Sequence, residues 1–281
     1  MPAAPSLPPL PGTRPEGAQD EGAAARQVRE MFARIAPRYD FLNHLLSLSL
    51  DRLWRARTAR RFRHVLAKPG ACVLDLCCGT GDLTLALARE AHKQRGRESG
   101  GPANAPAIVL GVDFVHPMLV RAVEKTSAQR EDRSSAAFAR GVSVAYVEAD
   151  ALQLPFAEAS FDLVTAAFGF RNLANYRRGL EEIRRVLKKP GGQAGILEFA
   201  APERSLWGRL YRLYFTRLLP RIGGAISGSR EAYAYLPQSV ESFPEPEMLS
   251  EAMRAAGFAD VRYERWTAGI VALHTARRPE G

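Results

Sequence analysis

The sequence predicts an α/β fold in which a seven-stranded, mostly parallel sheet carries helices on both faces. From Cys72 onward, short apolar runs alternate with segments of helical periodicity, as in a parallel sheet covered by helices. The first apolar run leads through two closely spaced glycines, Gly79 and Gly81, into a helical segment. With 281 residues and 46% hydrophobic composition, the chain can bury one such core.

The individual elements follow from the periodicity of the apolar residues. Strands are predicted near residues 72–77, 108–112, 142–147, 161–166, 192–198, 260–265 and 269–275. Helices are predicted near residues 82–91, 117–125 and 175–187. Two polar stretches interrupt this rhythm and are predicted to be long surface loops, residues 92–106 and 126–141.

The N-terminal region differs from the rest in composition. Residues 1–25 are rich in proline and alanine with few bulky apolar residues, which predicts a disordered tail. Order is expected to begin near Arg26, in a helix that Pro37 ends, and a second helical stretch is predicted over residues 51–66. Residues 26–278 are interpreted as one domain.

Composition and charge narrow the location and the partners. No stretch approaches the roughly 18 consecutive apolar residues of a membrane-spanning helix, and the start of the chain does not resemble a signal peptide. A cytoplasmic protein is therefore expected. The net charge of +9 is compatible with nucleic acid, an anionic membrane surface or an anionic cofactor, and charge alone does not choose among them.

Cysteine and histidine usage predicts no metal site. The cysteines share one short apolar segment without a second cluster, so they are interpreted as small core residues: Cys72, Cys77 and Cys78. The histidines are scattered, without a partner at ligand spacing: His44, His64, His92, His116 and His274. His116 precedes a proline and is interpreted as the start of a helix, and His274 as a core hydrogen-bonding residue.

The glycine turn is the first feature that points to a ligand. Gly79 and Gly81 allow the backbone to turn sharply and to approach a ligand closely. The dinucleotide fingerprint G-x-G-x-x-G would need glycine where this chain has Thr84, and it would not expect an acid at Asp75. An NAD-dependent dehydrogenase is therefore the disfavoured rival on this fold.

Acidic residues that follow the next two strands make the signal more specific. Asp113 ends the second predicted strand, where it can accept hydrogen bonds from two ribose hydroxyls. Asp150 follows the third strand, where it can meet the exocyclic amine of an adenine while apolar neighbours enclose the ring. Together with Asp75 and the glycine turn, these acids fit adenosine that carries a cationic sulfonium, which is S-adenosylmethionine.

These residues resemble the motifs of class I methyltransferases, which implies their Rossmann-like fold. Later segments agree: Leu154-Pro155-Phe156 precedes the fourth strand, and a helix ends in Pro190-Gly191-Gly192 before the fifth. Nucleic-acid enzymes that methylate amines usually carry an Asn/Asp-Pro-Pro-aromatic motif after the fourth strand. This chain has Ala167-Phe168-Gly169-Phe170 there, so no nucleic-acid partner is expected.

From about Arg26 to His274 the chain is similar to the C-methyltransferase family of menaquinone and ubiquinone biosynthesis. Four segments carry the resemblance: FARIAPRYDFLN at 32–43 with Leu53-Trp54, FGFRN at 168–172, LPRIG at 219–223 and TAGIVALH at 267–274. It implies a prenylated quinol as substrate, S-adenosylmethionine as methyl donor, S-adenosylhomocysteine as product, and no metal.

The resemblance also assigns residues. It implies an N-terminal helical lid over residues 26–66 that includes Tyr39, Asp40 and Asn43, and a substrate-side helical insertion at about 200–245. Arg171 and Asn172 would face the quinol. The cofactor contacts carry over to Thr80, Asp113, Asp150 and Ala151, beside Asp75, Gly79 and Gly81 of the turn. Many relatives have a serine just before Phe-Gly, where this chain has Ala167, so that side-chain hydrogen bond is absent.

The chemistry explains these residue types. Methyl transfer to ring carbon needs an electron-rich ring, which deprotonation of a hydroquinol hydroxyl supplies. That phenol has a pKa near 10 in water, so the site must stabilise the phenolate. Arg171 is suited to this, directly or through a water, and Asn172 can hold the hydroxyl. Asp40 or water is the candidate base.

Alternatives remain open at this stage. Arg171 could be a structural ion pair, Tyr39 a packed aromatic, and the apolar stripe within residues 204–219 a core helix, a membrane-surface helix or the wall of a prenyl-tail channel. The substrate could be a ubiquinone precursor or another small molecule. A non-catalytic membrane-surface or RNA-binding module would explain the arginines but not the acids. Peripheral contact with the inner membrane surface or other quinone-biosynthesis enzymes is compatible with the sequence, and the oligomeric state is open, a homodimer included.

Overall fold

A computed structural model describes residues 11–40, 43, 47, 49–95, 105–131, 141–200 and 230–280. The described helices are α1 (Glu21–Ile35), α2 (Leu50–Arg61), α3 (Arg63–Leu66), α4 (Asp82–Arg95), α5 (His116–Glu131), α6 (Tyr176–Val186), α7 (Arg230–Glu241) and α8 (Pro246–Ala255). The strands are β1 (Cys72–Leu76), β2 (Ala107–Asp113), β3 (Val142–Glu148), β4 (Leu163–Ala167), β5 (Gln193–Phe199), β6 (Ala259–Trp266) and β7 (Val271–Arg277). Short 3₁₀ turns lie at Ala36–Arg38 and Phe170–Asn172.

The strands form one seven-stranded sheet in the order β3-β2-β1-β4-β5-β7-β6. Strands β1 to β5 are parallel, and β7 is antiparallel to both β5 and β6. This confirms the predicted α/β fold with a mostly parallel sheet. The strand order reverses between β1 and β4, and the crevice outside the carboxyl ends of such strands is where open α/β sheets bind ligands.

Both faces of the sheet are buried, as the long apolar runs require. Along β1, Val73 packs with α3 and α4 on one face, while Leu74 joins the cluster that includes α6 and α8 on the other. Because side chains alternate between faces, Asp75 lies on the same face as Val73. The fold therefore places this acid beneath the start of α4 and not in the opposite core.

Helices α2 and α3 pack against the sheet through their aromatic residues. Phe62, between them, packs so tightly on β5 that a Cβ on Gly195 would lie 2.5 Å from the Phe62 ring. Trp54 packs against Phe168 and Phe199, with ring centroids 5.9 and 6.3 Å away. These two aromatic residues of 50–66 are therefore core residues, and the lid over residues 26–66 stays a prediction.

The N-terminal segment corrects the prediction of a disordered tail for residues 11–25. The backbone N–H of Thr13 donates to Leu173 O at 2.8 Å, and Arg14 Nη1 donates to Ala174 O at 2.6 Å. Helix α1 begins at Glu21, where Asp20 accepts a capping hydrogen bond from Ala23 N at 2.7 Å. Backbone and polar contacts hold this segment in place. Bulky apolar residues, on which the prediction of order relied, play no part in these contacts. Residues 1–10 lie outside the described chain.

The element boundaries agree with the predictions to within about two residues for the strands. Two helices are longer than predicted: α4 extends to Arg95 and α5 to Glu131, so the first residues of both predicted loops are helical. Their last turns are rich in polar residues, so apolar periodicity does not reveal them. Residues 96–104 and 132–140 lie outside the described chain, as does the predicted stripe within 204–219. Where residues are described, none of the helices is long and apolar enough to cross a membrane.

His274 fastens α8 to β7 from inside the core, which confirms the core hydrogen bond predicted for it. Its side chain is 1% exposed, and Nε2–H donates to Pro246 O at 2.9 Å, at the first residue of α8. Burial lowers the pKa of His274 to about 4. The folded protein therefore holds this imidazole neutral at a pH where the unfolded chain, with an ordinary histidine pKa near 6.5, takes up a proton.

This pKa predicts a loss of stability in mild acid. Because the unfolded state binds the extra proton, the free energy of unfolding should fall as pH decreases from about 6.5 towards about 4, by up to about 3 kcal/mol. His274→Gln keeps a donor for Pro246 O but does not titrate. Denaturant unfolding at several pH values should show a flatter profile for this variant than for the wild-type protein. Identical slopes in the two proteins would contradict the assignment.

Candidate active site

Two neighbouring cavities, which we call chambers, lie at the carboxyl ends of β1, β2 and β4. We call the first the apolar chamber; its wall is formed by Ala25, Phe32, Tyr39, Leu76, Cys77, Gly79, Val112, Asp113, Phe114, Val115, Met118, Ala149, Asp150, Ala151, Leu152, Phe168, Gly169, Asn172, Leu173 and Ala174. We call the second the polar chamber; its wall is formed by Tyr39, Arg55, Asp75, Cys77, Cys78, Gly79, Thr80, Asp82, Leu83 and Ala167. The two share Tyr39, Cys77 and Gly79.

The glycine turn lies where the two chambers join. Gly79 has φ +55°, a conformation that suits glycine, and its missing Cβ leaves Tyr39 as the nearest neighbour, 3.7 Å away. Gly81 has φ +82°, as the predicted sharp turn requires, and a Cβ there would also lie 2.6 Å from the Tyr146 hydroxyl oxygen. Gly79 thus faces the cavity, whereas Gly81 lets α4 start close to β3.

Asp113 has the position that the sequence predicts, at the end of β2 on the wall of the apolar chamber. One carboxylate oxygen accepts from Gly79 N and the other from Val115 N, each at 2.9 Å. Burial raises the pKa of Asp113 to about 6, and the backbone hydrogen bonds oppose this rise. Above pH 7 the residue therefore presents a negatively charged acceptor to the chamber.

Asp150 and Ala151 lie across the same chamber, after β3. Asp150 Oδ1 accepts from Leu152 N at 2.8 Å, which fixes the carboxylate in a tight turn. Ala151 and Leu152 are 6% and 9% exposed and, with Met118, give this end an apolar surface. The arrangement suits a flat heteroaromatic ring with an amine at its edge.

Asp75 lies at the floor of the polar chamber and is fully buried. Its carboxylate accepts from Thr84 Oγ1 at 2.6 Å and from Thr165 Oγ1 at 3.2 Å. Burial raises the pKa of Asp75 to about 7, against these two hydrogen bonds. Thr84 stands where the dinucleotide fingerprint would need a glycine. It therefore donates the hydrogen bond that the buried carboxylate of Asp75 needs.

The predicted lid residues have different environments. Tyr39 lines both chambers and packs edge-on against Phe32, with ring centroids 6.1 Å apart. Burial raises its pKa, so its phenol retains the proton. Asp40 is held by Lys125 Nζ at 2.8 Å and accepts from Thr80 Oγ1 at 2.5 Å. These contacts connect the segment after α1 to the glycine turn.

Arg171 is buried and lies behind the cavity wall, since neither chamber includes it among its lining residues. Its Nη1 donates to Glu198 Oε2 at 2.9 Å and to Phe168 O, and its backbone N donates to Glu198 Oε1 at 3.0 Å. The sequence predicts that Arg171 approaches the substrate directly or through a water. In this arrangement its guanidinium instead contacts Glu198 and Phe168 O. The ion pair instead fixes the turn that carries Asn172.

Asn172 lines the apolar chamber, and its contact with the quinol stays a prediction. Its Oδ1 accepts from the Tyr235 hydroxyl at 3.0 Å, and that hydroxyl also lies 3.1 Å from Thr13 Oγ1. Because Oδ1 is engaged, the amide Nδ2 is the group left to donate into the chamber. The Asn172 amide is thus oriented by Tyr235 and Thr13, which come from two segments distant from it in sequence.

Sequence reasoning missed Arg55, Lys125, Glu198 and Tyr235. Glu198 was detectable, since it is an acid inside a predicted buried strand and its side chain is 1% exposed. The others come from helices whose place in the fold cannot be predicted from the local sequence pattern.

Cys77 is also more than a core residue, because it lines both chambers. In the described part of the chain, no group of three His, Cys, Asp or Glu side chains could hold a metal ion.

Comparison with known proteins follows this geometry. A family model described as the ubiE/COQ5 methyltransferase family matches residues 20–278. The chain is 48% identical over 250 residues to the demethylmenaquinone methyltransferase of Thermus thermophilus, covering 89% of this chain and all of that protein. It is 38% identical over 253 residues to the ubiquinone/menaquinone biosynthesis C-methyltransferase UbiE of Geobacter sulfurreducens, covering 90% of this chain and 88% of that protein.

A crystal structure agrees in fold. An S-adenosylmethionine-dependent methyltransferase from Thermotoga maritima superposes with a TM-score of 0.54 at 18% identity, covering 89% of this chain and 99% of that one. The Rossmann-like class I methyltransferase fold implied by the sequence motifs is therefore confirmed. Together with the extent of the family match, this shows that the chain belongs to the ubiE/COQ5 methyltransferase family.

Proposed function

We propose that this enzyme transfers a methyl group from S-adenosylmethionine to a ring carbon of a prenylated quinol, converting demethylmenaquinol to menaquinol. One observation carries the proposal: Asp113 and Asp150, suited to an adenosine, line the same chamber as Asn172, suited to a phenolic oxygen. Donor and acceptor can therefore meet in one cavity. The name of the Thermus thermophilus relative supports the choice of substrate.

The second candidate is methylation of 2-methoxy-6-polyprenyl-1,4-benzoquinol in ubiquinone biosynthesis, which the name of the Geobacter sulfurreducens relative favours. Purified enzyme should be given both quinols with labelled S-adenosylmethionine. We expect the demethylmenaquinol to accept the methyl group at least tenfold faster, since the relative of higher identity is named for that reaction alone. Faster reaction of the benzoquinol, or accumulation of its unmethylated form when the gene is deleted, would reverse the assignment.

The residues present fit S-adenosylmethionine, which supplies an electrophilic methyl group when bound. Asp113 would accept from the ribose hydroxyls and Asp150 from the adenine amine, while Ala151 adds apolar surface beside the ring. Gly79 leaves room at the junction because no Cβ projects there. Thr80 and Asp75 would meet the methionine end.

Asn172 is the residue proposed to touch the reacting quinol oxygen. Tyr235 holds its carbonyl oxygen, so Nδ2–H can donate to the negative charge that develops as the hydroxyl loses its proton. A preorganised donor of this kind stabilises charge without reorganisation during the reaction. Tyr39, which keeps its own proton, is a second donor on the same wall.

Arg171 is proposed as a positioning residue behind Asn172. Its Nη1 donates to Glu198 Oε2 and to Phe168 O together, which fixes the FGFRN turn, and its guanidinium is buried. The proton acceptor is proposed to be water, because both oxygens of Asp40 are engaged by Lys125 and Thr80. Asp40 then holds the lid segment and does not act as the base.

Contact with a membrane surface is proposed because a prenylated quinol is presented by a lipid bilayer. Helix α2 exposes Arg52, Arg57, Arg60 and Arg61, and Leu53 among them is 54% exposed. Arginines around an exposed apolar residue suit an anionic lipid surface. We therefore propose a cytoplasmic enzyme that makes peripheral contact with the inner membrane surface. Other quinone-biosynthesis enzymes would meet it there.

The role of Asp113 predicts a specific loss of cofactor affinity. Asp113→Ala removes charge-assisted hydrogen bonds worth roughly 1.5–3 kcal/mol each, so the Kd for S-adenosylhomocysteine should rise roughly 10- to 100-fold. Calorimetry measures this directly, and circular dichroism checks the fold. Asp260→Ala is the matched control, because this exposed acid on β6 pairs with Arg277 away from the cavity. An unchanged Kd for the Asp113 variant would remove this acid from the cofactor site.

The role of Arg171 predicts a loss of turnover that exceeds any loss of stability. Arg171→Lys keeps the charge but loses the planar guanidinium that lies over the Phe199 ring while its Nη1 bridges Glu198 and Phe168 O, so kcat should fall by about 10²-fold while S-adenosylhomocysteine affinity stays nearly intact. Single-turnover methyl transfer to a water-soluble quinol, with thermal unfolding in parallel, measures both quantities.

Arg278→Lys is the matched control for this experiment. Arg278 is also buried, pairs with Glu158 at 2.5 Å and donates to two backbone carbonyls, but it lies outside both chambers. This variant should lose stability and keep the chemical step. Normal chemistry in a destabilised Arg171→Lys protein would give Arg171 the same purely structural role.

A further inference from the structure

The polar chamber continues the path that an adenosine would take through the apolar one. Asp113 accepts from Gly79 N at 2.9 Å, so a ribose held by Asp113 lies next to the junction at Gly79. Gly79 also lines the polar chamber. The part of the cofactor that follows the ribose and sulfur, a zwitterionic α-amino acid, would then meet a wall that includes Arg55, Asp75 and Thr80.

Arg55 is an unusual member of this wall. It lies on α2, is 7% exposed, and its guanidinium stacks over the Phe168 ring at 5.5 Å. Nη1 alone makes the polar contacts found for it, with Asp51 one turn earlier and with Asp82 Oδ2 at 3.6 Å. Across the residues that the structure describes, no acceptor is found for Nε or Nη2. A buried arginine with two such donors beside a cavity is arranged to receive an anion.

The charges around the chamber suit both ends of an amino acid. Arg55 is the cation that lines it, because Lys125 is held outside the lining by Asp40 and Asp82. Asp75 and Asp82 are the acids in its lining. A carboxylate near Arg55 and an ammonium near these acids would each meet a group of opposite charge.

We propose that Arg55 binds the α-carboxylate of the methionine part of S-adenosylmethionine, through Nε and Nη2, and so selects donors that carry an intact amino acid. This inference rests on the proposed function, and it adds a residue of α2 to the cofactor site. The planar fork of arginine matches a carboxylate in two-point geometry, which a lysine does not reproduce.

The experiment crosses a protein change with a ligand change. Calorimetry should compare S-adenosylhomocysteine with decarboxylated S-adenosylhomocysteine, which keeps the ammonium group but lacks the carboxylate. For wild type, the intact ligand should bind roughly 10- to 100-fold more tightly, the scale of a charge-assisted contact. In Arg55→Met this preference should disappear, because only the intact ligand loses affinity. Arg55→Lys should recover part of it.

Control variants separate this role from a structural one. Arg57→Met, on the exposed side of the same helix next to Glu264 and Trp266, should leave both affinities unchanged. If Arg55→Met fails to fold because Asp51 loses this ion pair, Asp51→Asn with Arg55→Met removes both charges of the pair and tests the same preference. An equal loss for both ligands, or no loss for either, would overturn the inference. Wild-type protein that binds neither ligand would instead overturn the proposed function, and with it this inference.

Discussion

The hydrogen bonds from Gly79 and Val115 to the carboxylate of Asp113 connect the parts of the site. They join the turn after β1 to the end of β2, next to the point where the strand order reverses. A carboxylate buried this deeply needs such donors, because desolvation alone raises its pKa. Without them, Gly79 would lose the partner that holds it at the junction of the two chambers. The shape of the whole cavity therefore depends on one strand-end acid.

The cavity is surrounded by buried charges whose arrangement makes more sense for chemistry than for stability. Arg171 with Glu198 and Arg55 with Asp51 are nearly inaccessible ion pairs. Such pairs contribute little net stability, since desolvation offsets their attraction. What they provide is fixed orientation in a medium of low dielectric, where a donor or a charge acts strongly on a reacting group. Both pairs contact Phe168 or its carbonyl, so they hold the segment that leads to Asn172 from opposite sides.

The sequence was sufficient for the fold and for Asp113 and Asp150, because parallel strands bring their carboxyl ends to one edge and a local pattern identifies each end. It was insufficient where distant segments meet. Thr13, near the start of the chain, and Tyr235, 63 residues after Asn172, orient this residue together, and no local pattern predicts either. Gly81 shows the converse limit: its role in the turn was predicted, but its close packing against Tyr146 was not.

The division into two chambers also constrains where methyl transfer can occur. The chambers share only Tyr39, Cys77 and Gly79 in the described chain, so a ligand that fills both must cross between these three residues. In the proposed orientation, the adenosine and the amino acid are anchored on either side of this crossing, and the sulfur between them has little freedom to move. The quinol needs only to be held by Asn172 on the apolar side for its ring carbon to face that point. Alignment of the methyl donor and the quinol lowers the barrier most when both are held in place before the reaction. Here the protein groups that would hold them come from three separate segments of the fold.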